Sequence, residues 1–504
     1  MAILKRKIAK KYKISFPSNI ELLKAYHNLL KNKRIKKTEG IEEILRTRPV
    51  RSLSGIVNVS VLTKPYYCPG KCLFCPLEKG MPKSYLSEEP AAERAKRLNF
   101  DPFLQVKARV ATLKNEGHST DKIDLRIIGG TWSFYPKNYQ KWFIKRCFDG
   151  VNQKSSRDLN QAQKINEKTK NRIIGISIET RPDFINEREI IFMRELGITR
   201  VELGVQSLYE KILKINLRGH TLQETIEATR LLKDAGFKIC YQMMPNLLGS
   251  DLKKDEEMFE ELFENPNFKP DYLKIYPCAI VKSAPLYKFY LKGKYKPYSK
   301  EELINLIKRI KLKVPYYVRI QRINRDIPSK YIVEGGAKIS NLRQMVQVIM
   351  EKEGLRCKCI RCREIKERYD PREKIYLFRE DYQASKGREI FLSFENKKRT
   401  KLFSYLRLRI PSQVFAKEKH FLKVLENSAI IREIQTFGKV VPLGQRKIAP
   451  QHQGLGKKLV KEAERISKKD FKLKKISVIS GIGARDYWRK LGYRLKETYM
   501  VKNI

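Results

Sequence analysis

The run GIVNVSVLTKPYYCPGKCLFCPLEKG (residues 55–80) joins a β-rich segment to a tight cysteine loop. Residues 55–63 are rich in β-branched and apolar types, which predicts a strand. Cys68, Cys72 and Cys75 follow with the spacing Cys-x3-Cys-x2-Cys. Thiolates on one short loop converge with little chain reorganisation, and three of them hold three irons of a cubane iron–sulfur cluster while the fourth iron stays open. Pro69 and Gly70 bend the loop, and Phe74 can shield the cluster from water. A fourth nearby cysteine, which an electron-carrying ferredoxin site would use, is missing. Three loop thiols that bind zinc or nothing are the plainer alternatives, but this order of spacings is far more specific than a lone Cys-x2-Cys.

Downstream the strand–helix rhythm continues. LRIIGGT (125–131), IIGISIET (173–180), RVELGVQS (200–207), FKICYQMMP (237–245) and DYLKIYPC (271–278) read as strands. Helix-like stretches lie near 103–116, 137–148, 186–195, 221–235 and 255–264. Six strands alternating with helices predict an α/β fold with a helix-covered parallel sheet. With ligands at the strand C-terminal ends, this is a partial TIM-type (βα)6 barrel. The polar stretch near 150–171 reads as a surface insertion.

Lys and Arg number 107 against 55 Asp and Glu, a formal net charge of +52. That excess predicts a polyanionic partner, nucleic acid above all, with binding that weakens steeply as salt rises. Thermophilic surface chemistry would raise Glu alongside Lys, and here Glu lags. No apolar run is long enough for a membrane span, and the N-terminus lacks a secretory signal. Nine cysteines, six of them in two tight trios, point to metal chemistry in a reducing compartment, the cytoplasm. Residues 1–40 carry twelve Lys/Arg and two Glu, with Leu22, Leu23, Tyr26, Leu29 and Leu30 as a helical apolar stripe. This basic helical segment is a candidate nucleic-acid contact.

The second trio, Cys357, Cys359 and Cys362, is spaced Cys-x-Cys-x2-Cys. It suits a closed structural zinc site with one ligand from elsewhere, His420 and Asp381 being weak candidates. A second iron–sulfur cluster or unmetallated thiols are the alternatives. After about residue 375 the texture becomes α+β. REIFLSFEN and KLFSYLRLRI read as antiparallel strands, and SAIIREIQTFGKVVPL as a long strand ending near Pro442. Gln451-His-Gln-Gly454-Leu-Gly456 then opens an amphipathic helix. A glycine loop at a helix N-terminus presents N–H groups and the positive end of the dipole to a pyrophosphate. A further strand and the segment YWRKLGY follow.

The first trio resembles the signature of the radical S-adenosylmethionine (SAM) enzymes. Gln451, Gly454 and Gly456 resemble the Q-x-x-G-x-G loop of GCN5-related N-acetyltransferases. Together, with runs such as GHSTDKIDLRIIGGT, GISIETRPDF, RVELGVQSLYEKILKINLRGHT, GLRCKCIRCRE and ISVISGIGARDYWRKLGYRL, the chain resembles the Elongator catalytic-subunit family, in an archaeal or bacterial form. The resemblance covers nearly all of the chain. It implies that Cys68, Cys72 and Cys75 bind a [4Fe–4S] cluster. Gly129, Gly130 and Thr131 would meet the methionine part of SAM, and Glu179, Arg181 and Gln206 its polar groups. Lys122 is implied to handle acetyl-CoA. Glu433, Ile434, Gln435 and Thr436 would lie along the pantetheine arm. Gln451, Gly454, Leu455, Gly456 and Lys457 would meet the pyrophosphate, and Tyr487 and Trp488 would flank the thioester. Many relatives have two tyrosines there, so an acid role would fall on Tyr487 or water.

The implied reaction is abstraction of a hydrogen from the acetyl methyl by the SAM-derived radical and addition of the resulting carbon radical to C5 of tRNA uridine 34, after which oxidation and hydrolysis of the CoA thioester leave 5-carboxymethyluridine. It needs tRNA and an electron donor as partners, and it says nothing of oligomeric state. The competing reading is a protein lysine acetyltransferase with a structural cluster, which leaves the +52 charge unexplained. Domain boundaries are expected at 1–54 (basic, tRNA-binding candidate), 55–335 (radical SAM), 336–374 (zinc linker) and 375–504 (acetyltransferase-like).

Overall fold

A computed structural model describes residues 2–38, 40–49, 52, 54–365, 370, 372–438 and 454–504. Seven parallel strands form the first sheet in sequence order: β1 (Val57–Leu62), β2 (Lys122–Ile128), β3 (Arg172–Thr180), β4 (Arg200–Gln206), β5 (Lys238–Met243), β6 (Tyr272–Ile275) and β7 (Arg319–Ile323). Six lie where the alternation put them. The seventh corrects the six-strand expectation. Its sequence, RIQRI, looks like surface, but Arg319 is enclosed because the barrel interior is itself charged.

The strands obey period two. On β2, Ile123, Leu125 and Ile127 are buried against the helices, while Asp124 and Arg126 point inward. The covering helices start at side-chain caps. Asp101, Asn186 and Asp251 each accept from the N–H three residues on, and Thr221 with Glu224 makes a full capping box. Each cap is worth about 1 kcal/mol.

The stretch near 150–171 is not a surface insertion. Its helix Leu159–Asn166 buries Ala162, Gln163 and Asn166. The Asn166 Oδ1 accepts from the Ile173 N–H at 2.8 Å and so starts β3. Polar residues here make internal bonds, which a hydropathy pattern does not reveal.

The second sheet is mixed, in the order β13-β14-β12-β11-β10-β9-β8. Its strands are β8 (Tyr376–Ala384), β9 (Gly387–Glu395), β10 (Leu402–Ile410), β11 (Ser428–Thr436), β12 (Lys475–Val478), β13 (Arg494–Lys496) and β14 (Tyr499–Asn503). A two-residue turn, Ser385–Lys386, joins β8 to β9 with φ of 46° and 59°, the primed-turn geometry that hairpin twist favours. The helix Leu455–Lys469 covers one face of the sheet. The expected end of β11 near Pro442 and the residue Gln451 lie outside the described residues.

The second sheet docks on the N-terminal ends of the barrel strands. Gly481 packs on Ile174, Ile430 on Gly236, and the Tyr499 hydroxyl donates to the Ala235 carbonyl at 2.8 Å. One apolar core runs through both units. The barrel is thereby closed at one end and open at the other.

Candidate active site

At the open end one pocket is lined by all three cysteines of the first trio together with Gly130, Thr131, Glu179, Arg181 and Gln206. They come from the C-terminal ends of four successive strands, β1 to β4, and the loops that follow them, the usual site position in this architecture. The Thr131 hydroxyl lies 3.8 Å from the Cys68 sulfur. Gly129 sits behind, its carbonyl accepting from the Thr63 hydroxyl at 3.2 Å. Gln206 ends β4 with φ of +70°, a left-handed conformation uncommon outside glycine.

Two features fit a bound group. The Arg181 guanidinium holds Asp183 through Nε and Nη2 at 2.9 and 2.8 Å, but its buried Nη1 has no partner. The buried Gln206 Oε1 has none either. Buried polar atoms are seldom left so. A Cβ on Gly70 would stand 2.7 Å from that same Nη1, so the guanidinium comes up against the cysteine loop where glycine leaves room for it. The Cys72 thiol is held down at about 5, first by its hydrogen bond with Cys75 and then, against burial, by Arg218 and Arg181. Arg218 Nη1 lies 3.5 Å from the Cys72 sulfur. Thiolate ligands beside cations are what an iron–sulfur cluster requires. The donor set therefore fits a cluster, and the orphaned donor and acceptor fit the amino-acid end of SAM.

Glu179 is fixed from three sides. Tyr85 Oη donates at 2.6 Å, Gln242 Nε2 at 3.0 Å, and Lys274 Nζ lies at 3.4 Å. Lys274 also pairs with buried Glu202. Burial opposes the Lys274 charge, and Glu202 outweighs it, so its pKa moves up. From Glu202 the contacts continue to Arg200 at 3.9 Å and on to Asp124 at 2.7 Å. The Arg200 guanidinium lies 5.5 Å from the Tyr272 ring, and Tyr272 donates to Glu433 on β11. A chain of polar side chains thus runs through the barrel from the open pocket to the second sheet. Tyr85, Lys274 and Arg218 were missed from sequence. The signal for Lys274 was a lysine inside the apolar run DYLKIYPC, at a strand position with no access to water.

On the second sheet, β11 and β12 pair only from Ser428 to Ile431 and from Lys475 to Val478. β11 then runs on beside β10 to Thr436, so a slot opens where β12 departs. Gly456 faces it. A Cβ there would lie 3.3 Å from the Tyr487 hydroxyl, 3.6 Å from Ile434 and 3.7 Å from Thr436. These four residues converge. Glu433 and Gln435 alternate to the other face, where Arg407 holds Glu433 at 2.9 Å and the Tyr405 hydroxyl donates to Gln435 at 3.2 Å. Gly454 caps the helix at φ +69°, Leu455 is buried, and Lys457 is exposed. Trp488 does not flank the slot. It is buried in the second core, edge-on to Tyr493 at 5.3 Å, because neighbours on a short helix point to different faces. Lys122 starts β2 at the closed end, in register with Arg172, against which Gly483 packs. It is remote from the cysteine pocket and close to the docked sheet.

The second cysteine trio is compact. The sulfurs of Cys357, Cys359 and Cys362 lie within 4.8 Å of one another, as ligands about 2.3 Å from a single ion would. Neither proposed fourth ligand joins them. His420 uses Nε2 on the Asp234 carbonyl at 3.1 Å and Nδ1 on the Leu422 N–H at 2.9 Å, and Asp381 is held by Arg379 at 2.8 Å. Among the described residues no helix is long and apolar enough to cross a membrane.

Residues 63–262 match the Radical SAM superfamily and residues 270–352 the Radical SAM C-terminal domain. A "tRNA uridine(34) acetyltransferase" of Methanocaldococcus infernus is 47% identical over 97% of this chain and 92% of its own length. Human "Elongator complex protein 3" is 39% identical over 91% of this chain and 86% of its own. The solved structure of the M. infernus Elp3 with its N-terminus deleted superposes with a TM-score of 0.78 at 45% identity, covering 90% of this chain and all of that one. The chain therefore belongs to the family of tRNA uridine(34) acetyltransferases and Elongator complex protein 3, an enzyme family built on a radical SAM barrel.

Proposed function

We propose that the protein carboxymethylates C5 of uridine 34 in tRNA, with acetyl-CoA as carbon source and SAM as radical source. The observation that carries this reading is one polar interior that runs from the cysteine pocket to Glu433 on β11, the strand whose other face borders the slot at Gly456. A [4Fe–4S] cluster on Cys68, Cys72 and Cys75 would supply the single electron that SAM cleavage needs.

The chain's own residues take the remaining roles. Arg181 Nη1 and Gln206 Oε1 bind the charged amino-acid end of SAM, with Gly130 and Thr131 beside them and Gly129 supporting the loop. Glu179, held by Tyr85 and Lys274, orients the ligand from the pocket's inner wall. Ile434, Thr436 and Gly456 border the pantetheine arm, with Glu433 and Gln435 supporting that strand from behind. The N–H groups of Leu455, Gly456 and Lys457 face the pyrophosphate, with Gly454 beside them, and Gln451 is the further residue that the resemblance assigns to it. Tyr487 places a hydroxyl at the thioester, and Lys122 handles CoA from the closed end.

Cys357, Cys359 and Cys362 would hold a structural zinc. The basic residues 1–54 contact tRNA, an external donor delivers electrons, and the enzyme works in the cytoplasm. Residues 55–335, 336–374 and 375–504 form the barrel, linker and acyl-binding units.

The test is anaerobic reaction with labelled acetyl-CoA, SAM, reductant and tRNA, followed by mass spectrometry of the nucleosides. Label in a carboxymethyl group at uridine 34, absent in Cys72→Ala, is the expected result. Transfer of acetyl groups to lysine without SAM would overturn it.

A further inference from the structure

Three consecutive loops at the open end each carry a pocket residue and a nearby aromatic ring. Tyr66 and Tyr67 precede Cys68, Phe134 follows Thr131 by three positions, and Phe184 follows Arg181 by three. The rings meet one another. Tyr67 lies 5.7 Å from Phe134, and Phe134 meets Phe184 edge-on at 5.9 Å. Tyr66 stacks on Tyr135 at 4.9 Å, Tyr135 on Tyr139 at 5.2 Å, and Tyr139 lies 5.6 Å from Trp142. Tyr66 also lies 6.0 Å from Phe134, so the result is one aromatic strip that starts at the cysteine loop and runs onto the helix Lys137–Asn152.

The strip is buried at Tyr135 and exposed at its two ends. Tyr67 is 70% exposed, Trp142 44% and Tyr66 40%. Large rings left in water at the mouth of a pocket call for an occupant. The fringe is cationic. Lys64 Nζ stands 4.9 Å over the Tyr139 ring, and Lys71 and Lys141 are exposed. The carboxylates of the same rim, Asp183 and Glu189, are already held by Arg181 and Lys137.

We infer that this strip is a stacking shelf for the bases that flank the target uridine when a single-stranded RNA loop is splayed over the pocket. The inference rests on the tRNA reading above. A base drawn into a pocket leaves its neighbours without stacking partners. Aromatic rings replace those partners whatever the base, and lysines beside the rings meet the phosphates. The net charge of +52 favours RNA over a protein as the occupant.

The test measures binding of an anticodon stem-loop RNA to the full chain by fluorescence anisotropy. A 2-aminopurine placed beside uridine 34 reports stacking. Tyr67→Ala and Trp142→Ala should each weaken binding about tenfold, one base–ring stack, while Tyr67→Phe binds like the wild type. The probe should be quenched by the wild type and stay bright with the alanine variants. Neither alanine variant should change the salt dependence, whereas Lys64→Ala should make its logarithmic slope shallower by about 0.7.

Because Tyr67 adjoins Cys68, iron content and melting are measured in parallel, and Trp142→Ala carries the test if Tyr67→Ala loses iron. Binding within about twofold of wild type by both alanine variants, with the probe still quenched, would overturn the shelf and leave the strip to a protein partner. If the wild type neither prefers the loop to a duplex RNA nor modifies it, the tRNA reading itself fails. If it does both while the variants match it, the shelf alone fails.

Discussion

At the closed end of the barrel, Asp271 is held by Arg432 at 2.9 Å and Glu389 by the same Arg432 at 2.8 Å, while Arg409 holds Asp234 at 2.6 Å. At the open end, Arg181 Nη1 and Gln206 Oε1 are equally buried and hold nothing. Both ends bury charge, so burial of charge does not by itself mark a site. Where the partners come from the other domain, charge fixes how two units dock. Buried atoms without a hydrogen-bond partner occur at both ends, Arg432 Nε, Arg407 Nη1 and Lys233 Nζ among them, so what singles out the open end is that Arg181 and Gln206 line the cysteine pocket.

That contrast predicts opposite outcomes for two variants, and these are the largest effects expected. Asp271→Asn keeps the shape but removes one of the two buried carboxylates that balance Arg432, leaving Glu389 alone, at a cost of about 3–5 kcal/mol of unfolding free energy. Its cysteine pocket should still take up iron. Cys72→Ala should lose iron and all nucleoside product yet cost only about 1 kcal/mol in denaturant unfolding. If Asp271→Asn unfolds at the wild-type midpoint, the closed end is not the brace described here.

A smaller effect separates the two ends by pH. Lys233 is fully buried at the closed end, 3.9 Å from Asp271 and 3.8 Å from Glu389. Burial pulls its pKa from 10.5 to about 8, against the pull of Asp271 and Glu389. Between those values the unfolded chain carries a proton that the folded chain lacks. Stability should therefore rise with pH across that window and stay flat below it as far as this group is concerned, by at most about 1.4 kcal/mol per pH unit. Lys238 is displaced the same way, also to about 8 by burial. Lys233→Met should accordingly reduce the rise without abolishing it. Denaturant midpoints from pH 7 to 10 check this, and an unchanged slope in the variant would show that Lys233 is not the titrating group.

The contrast also explains what could be read in the chain. β1 to β6 were legible because their outer faces are apolar with period two. β7 was not, since RIQRI spends its alternate positions on arginines that face a charged interior. The cysteine loop was legible because all its ligands are local in sequence. The polar chain was invisible, because it joins Tyr272 to Glu433 across 161 residues and no spacing rule covers that. His420 looked available as a zinc ligand for the same reason. Its partner, Asp234, is 186 residues away, whereas Asp381 is taken by Arg379 two positions earlier on the same strand, a pairing that the period of a strand does allow. The family resemblance implies that Trp488 flanks the thioester with Tyr487, but a short helix turns adjacent residues apart, and Trp488 is buried in the second core.

Tyr487 offers the smallest and most discriminating test. Its hydroxyl faces the slot 3.3 Å from where a Cβ on Gly456 would be, and burial raises its pKa, which keeps the proton on the oxygen. A protonated hydroxyl at that point can donate to a thioester carbonyl or to a departing sulfur. Tyr487→Phe keeps the ring and removes only that donor. CoA affinity should be unchanged, while tRNA-dependent release of CoA should slow by about tenfold, the value of one hydrogen bond made to developing charge. Gly456→Ala should do the reverse, because the added methyl crowds the hydroxyl, Ile434 and Thr436 together and narrows the slot. It should weaken CoA binding first. If Tyr487→Phe instead weakens CoA binding and leaves the release rate alone, the hydroxyl is a wall of the slot, and the acid at the thioester is water.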